Sequence, residues 1–173
     1  MFRYIAALEL QLCRDLNRHL TRAGVREGFI VVSRLGDGIF WYAVIAVMPL
    51  LGDSAAPTAA LQMAMTGMVA TGLQVMLKSS LARERPFVTF PSIACGVAPL
   101  DRYSFPSGHT LHAVCFTTIA VHHVPALAWL LVPFTMLVMM SRVILGLHYP
   151  SDVVAGAIVG LALAVASCAA FGS

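Results

Sequence analysis

Polar residues are so sparse along this chain that their gaps define the elements. Between Asp53 and Lys78 lie 24 residues without Asp, Glu, Lys or Arg, between Arg102 and Arg142 lie 39, and after Asp152 lie 21. Crossing a hydrocarbon core about 30 Å thick takes about 20 mostly apolar helical residues, because the backbone must satisfy its own hydrogen bonds there. The longest gap therefore predicts a helical hairpin, broken at VHHVP (121–125), where Pro125 cannot continue a helix and paired histidines suit an interface. Spanning helices are predicted at 57–78, 107–122, 126–142 and 152–171. A further span precedes them over Gly38–Gly52, short for a crossing and extended by FIVVSRLGDG, where Arg34 can snorkel to the interface. Before it, Ile5, Leu8, Leu12, Leu16 and Leu20 recur at helical spacing with Glu9, Arg14, Asp15 and Arg18 between them. That pattern predicts an amphipathic helix lying on the membrane surface, within an interfacial region 1–28; a helix packed on the loops is the alternative.

The expected fold is thus all-α, a polytopic membrane helical bundle of about five transmembrane helices plus an N-terminal amphipathic surface helix, in one membrane domain over 1–173 with its motif-bearing core at 57–171. Composition strengthens this: 59% of the 173 residues are hydrophobic, only 11% are charged, and the mean hydropathy is +0.84, whereas soluble domains carry about 25% charged residues. No linker, repeat or low-complexity tract divides the chain. The opening MFRYIAALELQLCRDLNRHL lacks a long apolar core and a small-residue cleavage site, so no removable signal is expected there. Cys13, Cys95, Cys115 and Cys168 follow no CxxC spacing and predict neither a disulfide framework nor a zinc site.

Counting crossings brings three polar clusters to one face: KSSLARERP (78–86), FPSGH (105–109) and SRVILGLHYPSD (141–152). The other face holds PLLGDSAAP, VHHVP and the C-terminal tail, none with Lys or Arg. A metal site at His122 and His123 would find only Asp53 as a partner there. On the first face, Lys78, Arg85 and Arg142 end apolar helices, where a cation is costly unless an anion answers it. Phosphate is the natural partner of guanidinium and ammonium groups. In PSGH, Ser107 can cap the next helix and Gly108 lets the backbone approach a ligand, so N–H groups and the helix dipole converge as in an anion cradle. The same four residues could also be no more than a helix cap. His148 and Asp152, four apart, allow the carboxylate to hold one imidazole nitrogen protonated and leave the other free to attack phosphorus. His109 can protonate the departing alkoxide.

Lys78, six residues, Arg85-Pro86; Pro106-Ser107-Gly108-His109; and Ser141-Arg142, five residues, His148, three residues, Asp152 together resemble the type 2 phosphatidic acid phosphatase superfamily, all three signature motifs in order. The resemblance implies a helical-bundle lipid phosphate phosphatase. In it Lys78, Arg85 and Arg142 bind the phosphoryl oxygens, Ser107 and Gly108 add hydrogen bonds, His148 forms a phosphohistidine that water hydrolyses, Asp152 supports it and His109 is the acid. It implies no metal and no cofactor. Residues 1–37 carry no motif, and where many bacterial relatives have six spans this chain is expected to have five plus a surface helix. Arg83 and Glu84 are read as loop charges, Arg102 and Tyr103 as solvated loop, and His112 as a neighbour of His109 rather than a second catalyst.

The implied partners are a membrane lipid phosphate and the bilayer, not nucleic acid; oligomeric state is left open. Candidate substrates are phosphatidic acid, phosphatidylglycerophosphate, polyprenyl phosphates or diphosphates such as undecaprenyl species, and lipid A phosphates. Short loops favour a polyprenyl-linked or simple glycerolipid phosphate. All 11 Lys and Arg fall on the motif-bearing face, which the positive-inside rule places in the cytoplasm, in a bacterial inner membrane; the resemblance favours a periplasmic site instead. Two other functions remain: a non-catalytic lipid-phosphate binder or transporter, and a vanadate-dependent haloperoxidase, whose relatives are soluble.

Overall fold

The computed structural model describes residues 2–51 and 56–172, and of residues 2–6 the backbone alone. Ile5's side chain, Gly52 and Asp53 consequently lie outside the described residues. The elements are α1 (Phe2–Asn17), α2 (Ala23–Gly36), α3 (Ile39–Val47), α4 (Ala56–Leu81), the single turn α5 (Pro86–Thr89), α6 (Gly108–His123), α7 (Ala128–Ile144) and α8 (Pro150–Phe171), with short 3-10 turns at Arg18–Thr21, Met48–Leu50 and Pro125–Leu127. The described residues are all helix or loop. The all-α membrane bundle expected from hydropathy is what forms.

Three helical stretches, Ala56–Thr89, Pro125–Ile144 and Pro150–Phe171, are long and apolar enough to cross a membrane, and the bent pair Ala23–Gly36 with Ile39–Leu50 reaches that length only when its two helices are counted as one. Its 52° bend falls at Asp37-Gly38, where Gly38 adopts φ +135°. The pair covers the stretch where a short span extended by FIVVSRLGDG is expected. The helix α6 has 16 residues, short of a full crossing, yet it needs less lipid-facing length because α4, α7 and α8 surround it. Nine of its residues are buried.

Lipid-facing positions recur at helical spacing on the outer helices: Leu61, Met65, Met68 and Val69 on α4, and Val154, Ile158, Leu161 and Val165 on α8. That is the inverse of a soluble helix, whose apolar stripe turns inward. Trp129, almost fully exposed at the start of α7, suits the aromatic belt at the far interface.

The seam that matters most joins α6 to α8. A Cβ at Gly156 would lie 2.5 Å from the Ser107 carbonyl oxygen, and one at Gly160 2.4 Å from that of Leu111. These two glycines, four apart, let the backbones touch, as small residues do in membrane helix pairs. The seam also carries the hydrogen bond from Ser107 N–H to the Asp152 carbonyl, 3.0 Å, which registers PSGH against HYPSD.

The helix α1 divides its predicted apolar stripe. Cys13, Asn17 and Leu20 are buried and Leu16 partly so, against α7, α8 and the 90–97 loop, while Leu8 and Leu12 stay about half exposed. Asn17 locks this docking: its amide donates to the carbonyls of Ala94 (2.9 Å) and Ile144 (3.0 Å) and accepts from Ala94 N–H (2.8 Å).

Candidate active site

Loops at one end of the bundle bring the three motifs together. Arg85, leaving α4 through the turn at 82–85, is buried and uses all three nitrogens. Its Nε donates to the Asp101 carbonyl (3.2 Å), Nη2 to the Asp101 carboxylate (2.8 Å), and Nη1 to the Leu147 carbonyl (2.9 Å) and to His148 Nε2 (3.3 Å). Lys78, in the last turn of α4, donates to the other Asp101 oxygen at 2.5 Å. Arg142, in the last turn of α7, donates through Nη1 to Ser33 Oγ, and its Nε finds no hydrogen-bond partner among the described residues.

His148 is buried in the loop between α7 and α8. A guanidinium can only donate, so the Nε2 it reaches carries a lone pair and Nδ1 carries the proton. Nδ1 faces Asp152 Oδ2 at 3.7 Å, beyond hydrogen-bond length. Burial, then the charges of Arg142, Arg85 and Lys78, hold this imidazole well below its ordinary pKa, hence neutral. Asp152 lies at the third position of α8, where its Oδ2 reaches back to accept Tyr149 N–H at 2.9 Å.

His109 stands in the first turn of α6, its Nε2 bonded to the carboxylate of Asp37, which comes from the bend between α2 and α3. Two details depart from expectation. Ser107 occupies the N-cap without a side-chain cap bond; its Oγ accepts from Thr110 Oγ1 at 3.0 Å. The open space above Gly108 goes to the Gln74 side chain, 2.3 Å from where a Cβ would stand, so the missing side chain is what lets α4 pack there. Ser141 donates to the Val138 carbonyl (2.6 Å) and is a helix-packing hydroxyl. His112 is the expected neighbour, bonded to the Gly108 carbonyl (2.9 Å) and to Thr71 (3.1 Å).

Sequence reasoning missed Asp101, Asp37, Ser33 and the role of Arg83. Asp101 is the most telling. Burial raises its carboxyl, but the hydrogen bonds and charges of Lys78 and Arg85 outweigh that and hold it below the ordinary carboxylate value. It provides an internal counter-ion to two of the three buried cations. Arg83, read as a loop charge, bonds Asp152, Ser151 and Glu9.

From this cluster a cavity of about 460 Å³ runs into the bundle between α3, α4 and α6. Asp37, Asp101, Gly108 and His109 line its polar end; Ile45, Met63 and Phe116 line its apolar end. Along α4 it extends from Gln74 to Met63, about 16 Å of helix rise and thus roughly half the depth of a hydrocarbon core.

A model of the PAP2 superfamily matches residues 59–172, and the chain belongs to that family. It is a multi-pass membrane enzyme of the phosphatase class. It is 32% identical to decaprenylphosphoryl-5-phosphoribose phosphatase of Mycolicibacterium smegmatis over 78% of this chain and 73% of that one. It is 29% identical to undecaprenyl-diphosphatase of Sulfolobus acidocaldarius over 76% of this chain and 63% of that one. The fold matches Aquifex aeolicus LpxE with TM-score 0.82 at 24% identity, covering 94% of this chain and 95% of that one. It matches the PAP2-type phosphatidylglycerolphosphate phosphatase of Bacillus subtilis with TM-score 0.77 at 23% identity, covering 96% and 85%.

Proposed function

We propose that this protein hydrolyses a polyprenyl phosphate or diphosphate through a phosphohistidine on His148. The observation that carries the reading is the orientation of that ring, its Nε2 lone pair turned to Arg85 among the cations and its Nδ1–H turned to a buried carboxylate. Lys78, Arg85 and Arg142 hold the phosphoryl oxygens, with Ser107 and the backbone N–H of Gly108 at the start of α6 adding donors. The Nε2 lone pair attacks phosphorus, and the phosphorus–oxygen bond to the leaving group breaks. His109 donates its proton to the departing oxygen, and Asp37 keeps that ring turned. The positive charge formed on His148 draws its Nδ1–H toward Asp152. Water then attacks phosphorus, His109 takes the water's proton, the phosphorus–nitrogen bond breaks, and inorganic phosphate leaves with His148 restored.

The cavity supports the choice of lipid. It begins beside His109, where the leaving group departs, and its volume lies at the lower end of the range for small-ligand sites. One chain lying along α4 suits it better than the two chains of a glycerolipid. The polyprenyl substrates named for the Mycolicibacterium and Sulfolobus relatives agree with this.

Phosphate release from a lipid panel in detergent, with chelator present, tests the reading. Polyprenyl substrates should turn over fastest, and His148→Ala should abolish turnover of every lipid. A preference for phosphatidic acid would overturn the substrate class. Persistent turnover in His148→Ala, or loss of wild-type turnover with chelator, would overturn the mechanism. An unaffected lipid binder, or bromide oxidation on adding vanadate, would restore one of the other two functions. The Lys and Arg bias supports a cytoplasmic site with the C-terminus outside; a C-terminal alkaline phosphatase fusion that is inactive, beside an active cytoplasmic reporter, would reverse that orientation.

A further inference from the structure

Arg83 follows directly after Ala82, a non-glycine residue held at φ +44°, in the left-handed region that side chains rarely adopt. The turn delivers its guanidinium to a closed ring of contacts. Nη1 donates to Asp152 Oδ1 at 2.6 Å and to Ser151 Oγ at 2.7 Å, and Nη2 donates to Glu9 Oε2 at 3.0 Å. The guanidinium lies 4.0 Å from the centre of the Tyr149 ring. Glu9 closes the ring: its Oε1 accepts Ser151 N–H at 2.8 Å, one of the unpaired donors in the first turn of α8. Glu9 belongs to α1, upstream of the residues matched by the family model.

We propose that Arg83, braced by Glu9 of the N-terminal helix, is a positioning residue that aims the Asp152 carboxylate at His148. The inference rests on the reading of His148 as nucleophile. Asp152 has two oxygens and two assignments. Oδ2 takes the Tyr149 N–H and faces His148; Oδ1 belongs to Arg83. A buried carboxylate with only one oxygen anchored can swing about its Cβ–Cγ bond, whereas a second anchor on Oδ1 fixes its plane, and the Arg83 fork is held in place by spanning from Asp152 to Glu9. A lysine has the charge but not the fork. The other groups facing Asp152 are the Cys13 thiol from α1, pushed to about 12 by burial and so neutral, Tyr149 and Ser104. Arg142 and Arg85 act on His148 from the opposite side. No other cation bonds Asp152 among the described residues.

The test uses full-length protein in detergent and pH profiles of kcat and kcat/KM. Arg83→Met should lower kcat by up to about 100-fold with KM within about twofold. Its acid limb should move to higher pH, because the substitution takes a positive charge away from beside the paired Asp152 and His148. Arg83→Lys should keep the acid limb near its original pH while recovering only part of the rate. Glu9→Gln should show a smaller loss of the same kind, and adding it to Arg83→Met should cost little more, as expected for one coupled unit. A loss of stability alone would lower the yield of folded enzyme without moving the limb.

Arg83→Met with an unmoved acid limb and kcat within twofold overturns the proposal, and a raised KM with unchanged kcat reassigns Arg83 to substrate binding. If Arg83→Met does not fold, Arg83→Lys and Glu9→Gln decide by the same criteria. His148→Ala keeps the two readings apart: activity surviving there sinks the nucleophile, whereas its loss beside a normal Arg83→Met sinks the positioning role alone.

Discussion

Two polar clusters occupy this bundle, and they are built on opposite principles. Toward the end of the bundle away from the motifs, Gln62, Thr66, Ser167 and His123 bond one another across α4, α6 and α8, and Thr117 pairs with Thr135 between α6 and α7 at 2.6 Å. These groups bond as hydroxyl, amide and imidazole pairs. At the motif-bearing end the groups are charged: Lys78, Arg85, Arg142 and Asp152 are buried, Arg83 is partly so, and Asp101 and Asp37 reach them from the exposed rim. There Arg142 Nε finds no partner among the described residues and His148 Nδ1 lies out of bonding range of Asp152. A membrane protein can hold helices together with neutral hydrogen bonds worth about 0.6 kcal/mol each. Under-compensated charge is costly in such a setting and marks a functional site.

That contrast can be broken in order of effect. Arg142→Lys, which keeps charge but removes the fork, should reduce kcat/KM by about 10²–10³ in phosphate-release assays; a loss below tenfold would mean that Arg142 does not meet the transferring group. Asp37→Asn should lower kcat by about tenfold or more in the same assay, within the contribution of an acid–base group; an unchanged kcat would remove Asp37 from the orientation of His109. Ala64→Leu, in the cavity wall, should lower turnover of polyprenyl substrates and leave p-nitrophenyl phosphate unchanged; equal losses on both would remove the cavity from substrate selection. Asp101→Asn should weaken the ligand-free protein and make vanadate a stronger inhibitor. The stability Asp101 confers is present at neutral pH and lost as pH falls below the ordinary carboxylate range, since its folded-state value is depressed. Melting curves across pH should show that acid loss in the parent and not in Asp101→Asn. Smallest of all, Thr66→Val should change stability by about 0.6 kcal/mol with kinetic constants untouched.

Much of this was legible before any coordinates. Charge-free gaps placed α4, α6, α7 and α8 within a few residues, because lipid imposes one rule on every exposed position. The alternating crossings then required Lys78, Arg85, His109, Arg142, His148 and Asp152 to share a face. Less visible were residues whose partners are set by loop conformation. Asp101 lies in an irregular segment with no period to read, and Arg83 reaches its partners only through the turn that the left-handed Ala82 makes. Asp37 and Glu9 lie outside the motifs and reach the site through tertiary packing of α1 and the α2–α3 bend. The Gly156 and Gly160 spacing was available in the sequence as a small-residue helix seam and was not used. Cys13 and Asn17, one turn apart, mark the inward face of α1, which a search for leucines alone could not separate from its outward face.

Asp101 has a consequence for anything meant to block this enzyme. The carboxylate is tethered to the wall of the pocket, so two of its cations meet a resident ligand whose effective concentration is set by a short loop rather than by the surrounding solution. A small free oxyanion must outcompete that ligand each time it binds. A lipid-tailed anion arrives with its own local enrichment in the bilayer, and can win the exchange where a soluble mimic of the same headgroup fails.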